Sequence, residues 1–190
     1  MSVLREPIVS DLPGMYRVCL ETAEPHVNPD LLGHVYAGPY VVAQPAFARV
    51  VADTSGVSGY IVGCPDTRAF EAWCADSWWP ALRAQYPLGS GADLDAGLTR
   101  LLHDPPRSPD DVVSGHPAHL HINILASAQR RGHGRALIDW LCAELVEHGV
   151  TGVHLGVDPA NSNAIGFYHH LGLPVLLERD GTLWMGKSLR

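Results

Sequence analysis

Residues 129–134 read Gln-Arg-Arg-Gly-His-Gly and lie between two patterned stretches. Residues 119–125 alternate as in a β-strand, and residues 135–148 have the apolar spacing of an amphipathic helix. Glycine permits a positive φ and a close approach of the backbone, and the first N–H groups of a helix lack acceptors within it. The segment therefore predicts a strand-to-helix turn that binds an anion, such as a phosphorylated cofactor, through its backbone.

The composition predicts a folded chain that works outside a membrane. A length of 190 residues suits a single domain, residues 1–190, with its own core. Hydrophobic residues make up 46% and charged residues 17%, which excludes an intrinsically disordered chain. No apolar run reaches the roughly 20 residues of a membrane span, and the N-terminus lacks the pattern of a signal peptide. We expect a soluble protein in the cytoplasm.

Charge, histidine and cysteine usage exclude two further classes. The formal net charge of −7 argues against a nucleic-acid partner, because phosphate contacts need clustered Lys and Arg. The 11 histidines show none of the spacings of a metal motif, so no metal site is expected. The cysteines are widely spaced and have no C-x-x-C, which predicts buried free thiols at Cys19, Cys64, Cys74 and Cys142.

The remaining pattern predicts an α/β chain of the α+β type. In its first half it predicts a strand over residues 3–9, a helix over 12–21 capped by Ser10 and Asp11, a short helix over 29–36, an antiparallel hairpin of 46–53 and 57–64, and a helix over 67–86 broken at Pro80. Residues 88–117 form a long surface excursion with one short helix near 94–102. The second half predicts a strand over 119–125, a helix over 135–148, a strand over 152–157, a helix over 163–171, and strands over 174–179 and 183–189.

Two other nucleotide-binding motifs fit the turn poorly. A dinucleotide fingerprint needs a third glycine where Leu137 stands, and too few residues follow Asp158 to complete a doubly wound sheet. An NAD-dependent oxidoreductase is therefore only a distant alternative. A P-loop is excluded because no Gly-Lys-Ser/Thr follows the turn.

Two motifs in order resemble the Gcn5-related N-acetyltransferase (GNAT) superfamily. Its pyrophosphate signature, Q/R-x-x-G-x-G/A, is met by Gln129, Gly132 and Gly134. One helix and one strand later stands its second signature, N-x-x-A-x-x-F-Y-x-x-x-G. The positions that match it are Asn161, Ala164, Phe167, Tyr168 and Gly172.

The resemblance implies a mixed, mostly antiparallel sheet of six to seven strands between helices, with a splayed pair of parallel strands at the cofactor site. It also implies acetyl-CoA as cosubstrate and direct transfer of acetyl to an amine in a ternary complex. Residues 57–63, 70–87 and 186–189 are further similar to the acetyltransferase-like C-terminal domain of O-GlcNAcase and to its free-standing bacterial relatives. Sugar hydrolysis does not follow from that similarity, because the match does not include the hydrolase part of O-GlcNAcase.

By the same resemblance, the backbone N–H groups of residues 131–135 would bind the diphosphate of CoA, and the pantetheine arm would lie along a strand edge at residues 125–127. Asn161 is expected to cap its helix, to meet the CoA, or both. The residues implied in cofactor binding are Leu125, Ala126, Ser127, Gln129, Arg130, Arg131, Gly132, His133, Gly134, Arg135, Asn161, Ala164, Phe167 and Tyr168.

Four residues are candidates for catalysis. Tyr168, at the motif position, would protonate the leaving thiolate, unless it merely packs in its helix. His119 and His121 lie on the strand face opposite its apolar residues, so either could take a proton from the amine, although many relatives use a chain of water molecules. Asp158 ends the next strand, where it could orient a histidine or bind an ammonium group.

The acceptor and the assembly are left open by the sequence. A small-molecule or peptide amine is expected, and the acidic net charge favours cationic acceptors such as polyamines, basic peptides or aminoglycoside-like amines. An acyl-CoA-binding module without turnover is the main alternative. The chain is expected to be a monomer or a homodimer.

Overall fold

The computed structural model describes residues 2–189 and contains one mixed β-sheet. Its strands are β1 (Val3–Arg5), β2 (Ala48–Asp53), β3 (Gly56–Cys64), β4 (Ala118–Ile124), β5 (Gly152–Val157), β6 (Val175–Arg179) and β7 (Thr182–Ser188). They are ordered β1-β2-β3-β4-β5-β7-β6. All neighbours are antiparallel except β4 and β5, which are parallel. The mostly antiparallel sheet that the resemblance implied is therefore confirmed.

Helices cover both faces of this sheet. They are α1 (Leu12–Glu21), α2 (Leu31–Tyr36), α3 (Gly38–Ala43), α4 (Thr67–Trp73), α5 (Trp79–Gln85), α6 (Ala96–His103), α7 (Asp110–Val113), α8 (His133–Glu147) and α9 (Ser162–His170). Helices α1 to α6 share one core cluster with β2 and β3, and α8 and α9 share the other with β4, β5 and β7. No helix within residues 2–189 is both long enough and apolar enough to cross a bilayer.

Strand β4 divides its side chains between the two faces as the alternation predicted. Leu120, Ile122 and Ile124 pack in the cluster that α8 completes with Leu137 and Leu141. His119 and His121 point to the opposite face, because successive side chains of a strand alternate. Helix α8 thus covers the apolar face of β4, and the histidines lie on its opposite face.

The parallel strands β4 and β5 separate soon after they meet. Only Ala118 with Val153 and His119 with His154 are paired, although both strands continue for several residues. On its other side β4 stays paired with β3 up to Ile124. The splayed pair is therefore confirmed, and the edge of β4 that faces β5 is open beyond His119.

The N-terminal strand is shorter than predicted. It ends at Arg5, and Val9–Asp11 forms a 3-10 turn before α1. Pro7 has no N–H to donate to a ladder. Asp11 does not cap α1 through its side chain, because its carboxylate accepts two hydrogen bonds from Arg5, at 2.6 and 2.8 Å, and one from the N–H of Ile8 at 2.8 Å.

The helical break near Pro80 and the excursion that follows are both more ordered than predicted. A π-helical turn, Cys74–Trp78, separates α4 from α5, and Pro80 lies in the first turn of α5, where its missing N–H is tolerated. Residues 88–117 contain α6 and α7. The four cysteines are buried and free, as predicted.

Candidate functional site

The turn before α8 has the left-handed backbone that its glycine predicted. Arg130 has a φ of 58° and Gly132 a φ of 84°. The helix begins at His133, two residues before the predicted start, and the first N–H to find a helical acceptor is that of Ala136, which donates to the carbonyl of Gly132 at 3.0 Å. The side-chain amide of Gln129 donates to the carbonyl of Ile124 at 2.9 Å and ties the turn to the end of β4.

The N–H groups of this turn are available to a ligand. Within residues 2–189, those of residues 131–135 donate to no protein acceptor. A left-handed residue placed before a helix gathers successive N–H groups into a concave site for anions, and the positive end of the helix dipole adds to the attraction. The geometry therefore fits the diphosphate of a coenzyme A.

Gly134 serves packing between helices, unlike Gly132. A Cβ at Gly134 would lie 2.8 Å from Cζ of Phe167 and 3.5 Å from Cδ1 of Ile124, whereas a Cβ at Gly132 would meet open space. The second glycine of the signature thus lets α9 approach the start of α8 and the end of β4. The turn, the end of β4 and Phe167 of α9 therefore lie against one another.

The expected strand edge at residues 125–127 is wrong. Strand β4 ends at Ile124, and Ala126–Ala128 forms a 3-10 turn. The carbonyl of Leu125 accepts from the N–H groups of Ala128 and Gln129, at 2.8 and 3.2 Å, which closes the turn. The extended backbone that a pantetheine arm could follow lies earlier, between His121 and Ile124.

Helix α9 carries the second signature. Oδ1 of Asn161 accepts from the N–H of Ala164 at 3.0 Å, so this residue caps the helix as expected. Tyr168 is half-buried beside Phe167, with 5.4 Å between the ring centroids. Its hydroxyl makes no hydrogen bond with any residue of the described chain, and burial raises the pKa of this phenol to about 12.

A cavity of about 710 Å³ opens on the face of the sheet that carries the β4 histidines. Its walls come from segments far apart in the sequence. They are residues 35–40 around α2 and α3, residues 68–79 of α4 and α5, residues 105–108, parts of β4 and β5, and the turn and start of β7 at residues 181–184. The separation of β4 from β5 forms its floor.

Both ring nitrogens of His119 are engaged. The hydroxyl of Thr67 donates to the carbonyl of Pro117 at 2.7 Å, so it must accept from Nδ1 of His119 at 2.9 Å. Nε2 then accepts from the hydroxyl of Tyr40 at 2.7 Å. Burial holds the pKa of His119 well below its usual range. This histidine is therefore not free to take a proton from a substrate, contrary to one of the two alternatives.

His121 differs from His119 in having free nitrogens. Its ring contacts those of Tyr36 and Tyr40, with centroids 5.1 and 5.4 Å apart. Within residues 2–189 its nitrogens have no hydrogen-bond partner. Burial is the larger cause, and the nearby His154 the smaller cause, that lowers the pKa of His121 to about 4. The imidazole is thus neutral at pH 7 and lines the cavity with an unused lone pair.

His154 completes a row of histidines that the sequence did not predict. It is fully buried on β5, 5.8 Å from His119 between ring centroids. Nδ1 donates to the carbonyl of His116 at 2.7 Å, and Nε2 accepts from the hydroxyl of Ser108 at 3.3 Å. Burial lowers the pKa of His154 to about 4. Its alternation with Val153 and Leu155 was the available signal for its face.

Asp158 lies at the rim of the cavity, where β5 ends. One carboxylate oxygen accepts from the N–H of Ala160 at 2.8 Å, and the side chain is exposed. It forms no ion pair within the described chain. The structure places Asp158 and His121 on one cavity, but it shows no contact between them. Among residues 2–189, no cluster of His, Cys, Asp and Glu is arranged to hold a metal ion.

Residues 105–108 form a strap over one side of the cavity. Arg68 donates to Glu71 at 2.7 Å and to the carbonyl of Ser108 at 2.7 Å, and it also pairs with Asp110. The N–H of Ser108 donates to Glu71 at 3.1 Å. Charged side chains of α4 therefore fix the strap, which lines the cavity together with Leu101 of the same predicted surface excursion.

Known proteins resemble this chain in sequence or in fold. Rat and mouse Protein O-GlcNAcase (Rattus norvegicus and Mus musculus) are each 21% identical over 98% of this chain, which spans 22% of their length. The solved structure of SsHAT is 31% identical, with a TM-score of 0.91 over 100% of this chain and 98% of that one. The structure of yncA from Salmonella typhimurium, solved with its cofactor acetyl-CoA, is 14% identical, with a TM-score of 0.56 over 100% of this chain and 94% of that one, and shows a shared fold.

The family profile described as "Acetyltransferase (GNAT) family" matches residues 58–173, which run from β3 through the turn, α8 and α9. That range includes both signatures and most of the residues that line the cavity. The chain belongs to the GNAT acetyltransferase family.

Proposed function

We propose that this protein is an acetyl-CoA-dependent N-acetyltransferase that transfers acetyl directly to an amine in a ternary complex. One observation carries the proposal. Strands β4 and β5 separate beyond their first paired residues, and the turn after β4 has N–H groups without a protein acceptor. A cavity of about 710 Å³ lies on one face of this gap, so a thioester bound in the gap can meet an acceptor bound in the cavity. The family supports acyl transfer, and the solved relative with acetyl-CoA supports that cosubstrate.

Binding of the cosubstrate would rest mainly on the backbone. The N–H groups of residues 131–135 would donate to the diphosphate, because they have no other acceptor in the described chain. The exposed side chains of Arg130, Arg131 and Arg135 add positive charge at the same end. The open edge of β4 between His121 and Ile124 would offer backbone hydrogen bonds to the amides of the pantetheine arm.

Tyr168 is the proposed acid. Acetyl-CoA supplies an activated carbonyl, and its thiol must leave with a proton. A phenol with a pKa of about 12 stays protonated across the working pH range, and its hydroxyl has no competing protein partner in residues 2–189. Its neighbour Phe167 packs against Gly134 of the turn.

His121 is the proposed proton acceptor, and Asp158 the proposed site for the amine. The nitrogen of an amine becomes far more acidic once its bond to the carbonyl carbon forms, so a weakly basic neutral imidazole suffices to take that proton. His121 presents a free nitrogen to the cavity, whereas both nitrogens of His119 and His154 are bonded. Asp158 would hold the incoming ammonium at the rim, where one proton passes to water before the neutral amine attacks the thioester. The second proton of the amine then passes to His121, Tyr168 gives its proton to the leaving thiolate, and solvent carries a proton from His121 back to Tyr168.

The alternative is an acyl-CoA-binding module without turnover. The observation that favours it is the strap, which narrows access to the cavity. Both functions require acetyl-CoA binding. Only the enzyme releases free CoA when an amine is added.

The test separates binding from turnover in Tyr168→Phe. Calorimetry should show that the variant binds acetyl-CoA with a Kd within about twofold of the wild type, whereas a thiol reagent should show about 100-fold slower release of CoA, the typical contribution of one acid. Tyr16→Phe is the matched control, because the hydroxyl of Tyr16 bonds to His34 outside the cavity. Unchanged turnover in Tyr168→Phe would remove the acid from the proposal, and absence of binding to any CoA species would overturn the whole.

A further inference from the structure

We propose, on the basis of the function proposed above, that the acceptor is a compact primary amine with an aromatic body, an arylalkylamine, rather than a polyamine or a lysine side chain of a protein. The shape, the lining and the charge of the cavity each support this class.

Aromatic rings dominate the wall of the cavity. Tyr40 stacks on Phe70 with 4.3 Å between ring centroids, and His121 packs edge-on against Tyr36 and Tyr40. The aromatic residues of the lining outside the histidine row are Tyr36, Tyr40, Phe70, Trp79 and Trp184. Such a wall favours a flat apolar guest, because rings gain from stacked and edge-on contacts beyond the burial of their area.

The cavity has a site for one positive charge. Arg68 pairs with Glu71 and with Asp110, and Arg107 lies 3.7 Å from Glu71, so these two positive and two negative charges compensate each other. The three histidines are neutral at pH 7 because their pKa values are lowered. Asp158 is the carboxylate at the rim that has no ion pair within residues 2–189.

A polyamine fits this arrangement poorly. Its first ammonium would meet Asp158, but the next would lie against apolar rings without a counterion, and an unpaired charge in such surroundings is costly. The aromatic faces attract one cation near the rim, but they do not compensate several ammonium groups for the water that each would lose. The acidic net charge of the chain is therefore a poor guide to the acceptor.

A peptide also fits poorly, because of the strap. Residues 105–108 include Pro105 and Pro106. The carbonyl of Ser108 accepts a hydrogen bond from Arg68, and its N–H donates one to Glu71. The strap covers one side of the cavity, so a peptide backbone that delivers a lysine side chain has less room there than a small amine. A small amine can enter without displacing the strap.

The experiment compares four amines at equal concentration with saturating acetyl-CoA, and follows CoA release with a thiol reagent. The probes are phenethylamine, tryptamine, spermidine and a lysine-containing peptide with a blocked N-terminus. We expect kcat/KM to be about 100-fold higher for the first two than for the last two, the scale of discrimination that a pocket of fixed shape achieves.

Asp158→Asn tests where the ammonium binds. The variant keeps an oxygen for the N–H of Ala160, so it should fold, and its KM for phenethylamine should rise about 10- to 100-fold with a much smaller change in kcat, the value of a hydrogen bond to a charged group. Asp53→Asn is the matched control, because Asp53 also ends a strand, is exposed, and accepts the N–H of the residue two positions later, Ser55, at 2.7 Å. A KM in Asp158→Asn equal to that of the control would overturn this part of the proposal.

The outcomes also separate this proposal from the proposed function. Faster acetylation of spermidine or of the peptide would overturn the acceptor class and leave the N-acetyltransferase intact. Binding of acetyl-CoA without CoA release for any of the amines would overturn the enzyme, and the acceptor class with it.

Discussion

The turn before α8 and the cavity beside β4 would hold the two substrates of one reaction, but they are made of different parts. The turn presents backbone N–H groups, which do not titrate and are held in place by Gly132 and by packing at Gly134. The cavity presents side chains, among them the buried His154 and the half-buried His119 and His121, all three with lowered pKa values. Cofactor binding should therefore depend on backbone geometry, whereas acceptor chemistry and stability in acid should depend on the side chains of the cavity.

The largest expected effect concerns acid and His154. Its folded-state pKa is about 4, and its unfolded value is about 6.5. Above pH 6.5 both states are neutral, so this histidine has no effect. As the pH falls from 6.5 to 4, the unfolded chain takes up a proton that the folded chain excludes, and stability falls by about 3 kcal/mol before levelling off.

Urea unfolding at pH 7 and pH 4.5 measures this loss. His154→Asn retains a donor for the carbonyl of His116 and does not titrate, so its stability should fall less between the two pH values than that of the wild type. His169→Asn replaces an exposed histidine and is the control, which should retain the wild-type loss. An equal loss in both variants would show that buried histidines do not distinguish the cavity from the rest of the chain.

The next effect tests packing at the turn. Gly134→Ala should destabilise the protein by about 1–3 kcal/mol, because its Cβ would meet Phe167 at 2.8 Å. Adding Phe167→Leu should recover part of that loss by removing the ring. Thermal or urea unfolding of the two single variants and the double variant measures the coupling.

Gly132→Ala provides the contrast within the same turn. Its Cβ meets no atom within 4 Å, so its cost, about 1–2 kcal/mol, comes from the positive φ alone. Phe167→Leu should not reduce this cost. A rescue of both glycine variants by the same change would contradict the separate roles of the two glycines.

The smallest effect concerns the start of α9. Asn161→Ala removes the acceptor for the N–H of Ala164 and should lower stability by about 1 kcal/mol, whereas Asn161→Asp keeps an oxygen there and should lose much less. Urea unfolding at pH 7 compares the two. If acetyl-CoA affinity, measured in parallel, falls in Asn161→Ala but not in Asn161→Asp, the oxygen that caps α9 also contributes to acetyl-CoA binding.

The local features of the site were predictable because a few neighbouring residues determine them. The positive φ at Gly132, the cap at Asn161 and the face of His121 each follow from a short pattern of glycine, asparagine or alternation. The parallel pairing of β4 with β5 was implied by the resemblance that the two signatures carry. These predictions needed no knowledge of distant contacts.

The cavity was less predictable because its walls meet only in three dimensions. Nothing near Ser108 in the sequence indicates that it bonds to His154, and the engagement of His119 depends on Tyr40 and Thr67 from two other elements. The role of Gly134 was missed for the same reason, since its partner Phe167 lies on another helix. Residue type identified His119 and His121 as candidates, and tertiary packing determined which of the two rings keeps a nitrogen without a hydrogen bond.

The early separation of β4 from β5 has a mechanical consequence. Beyond His119 and His154 no ladder hydrogen bond joins the two halves of the sheet, so none has to break when they move apart. A ligand with amide groups, bound between β4 and β5, would form hydrogen bonds with the open edge of β4. It would thereby join the two halves of the sheet into one more rigid unit.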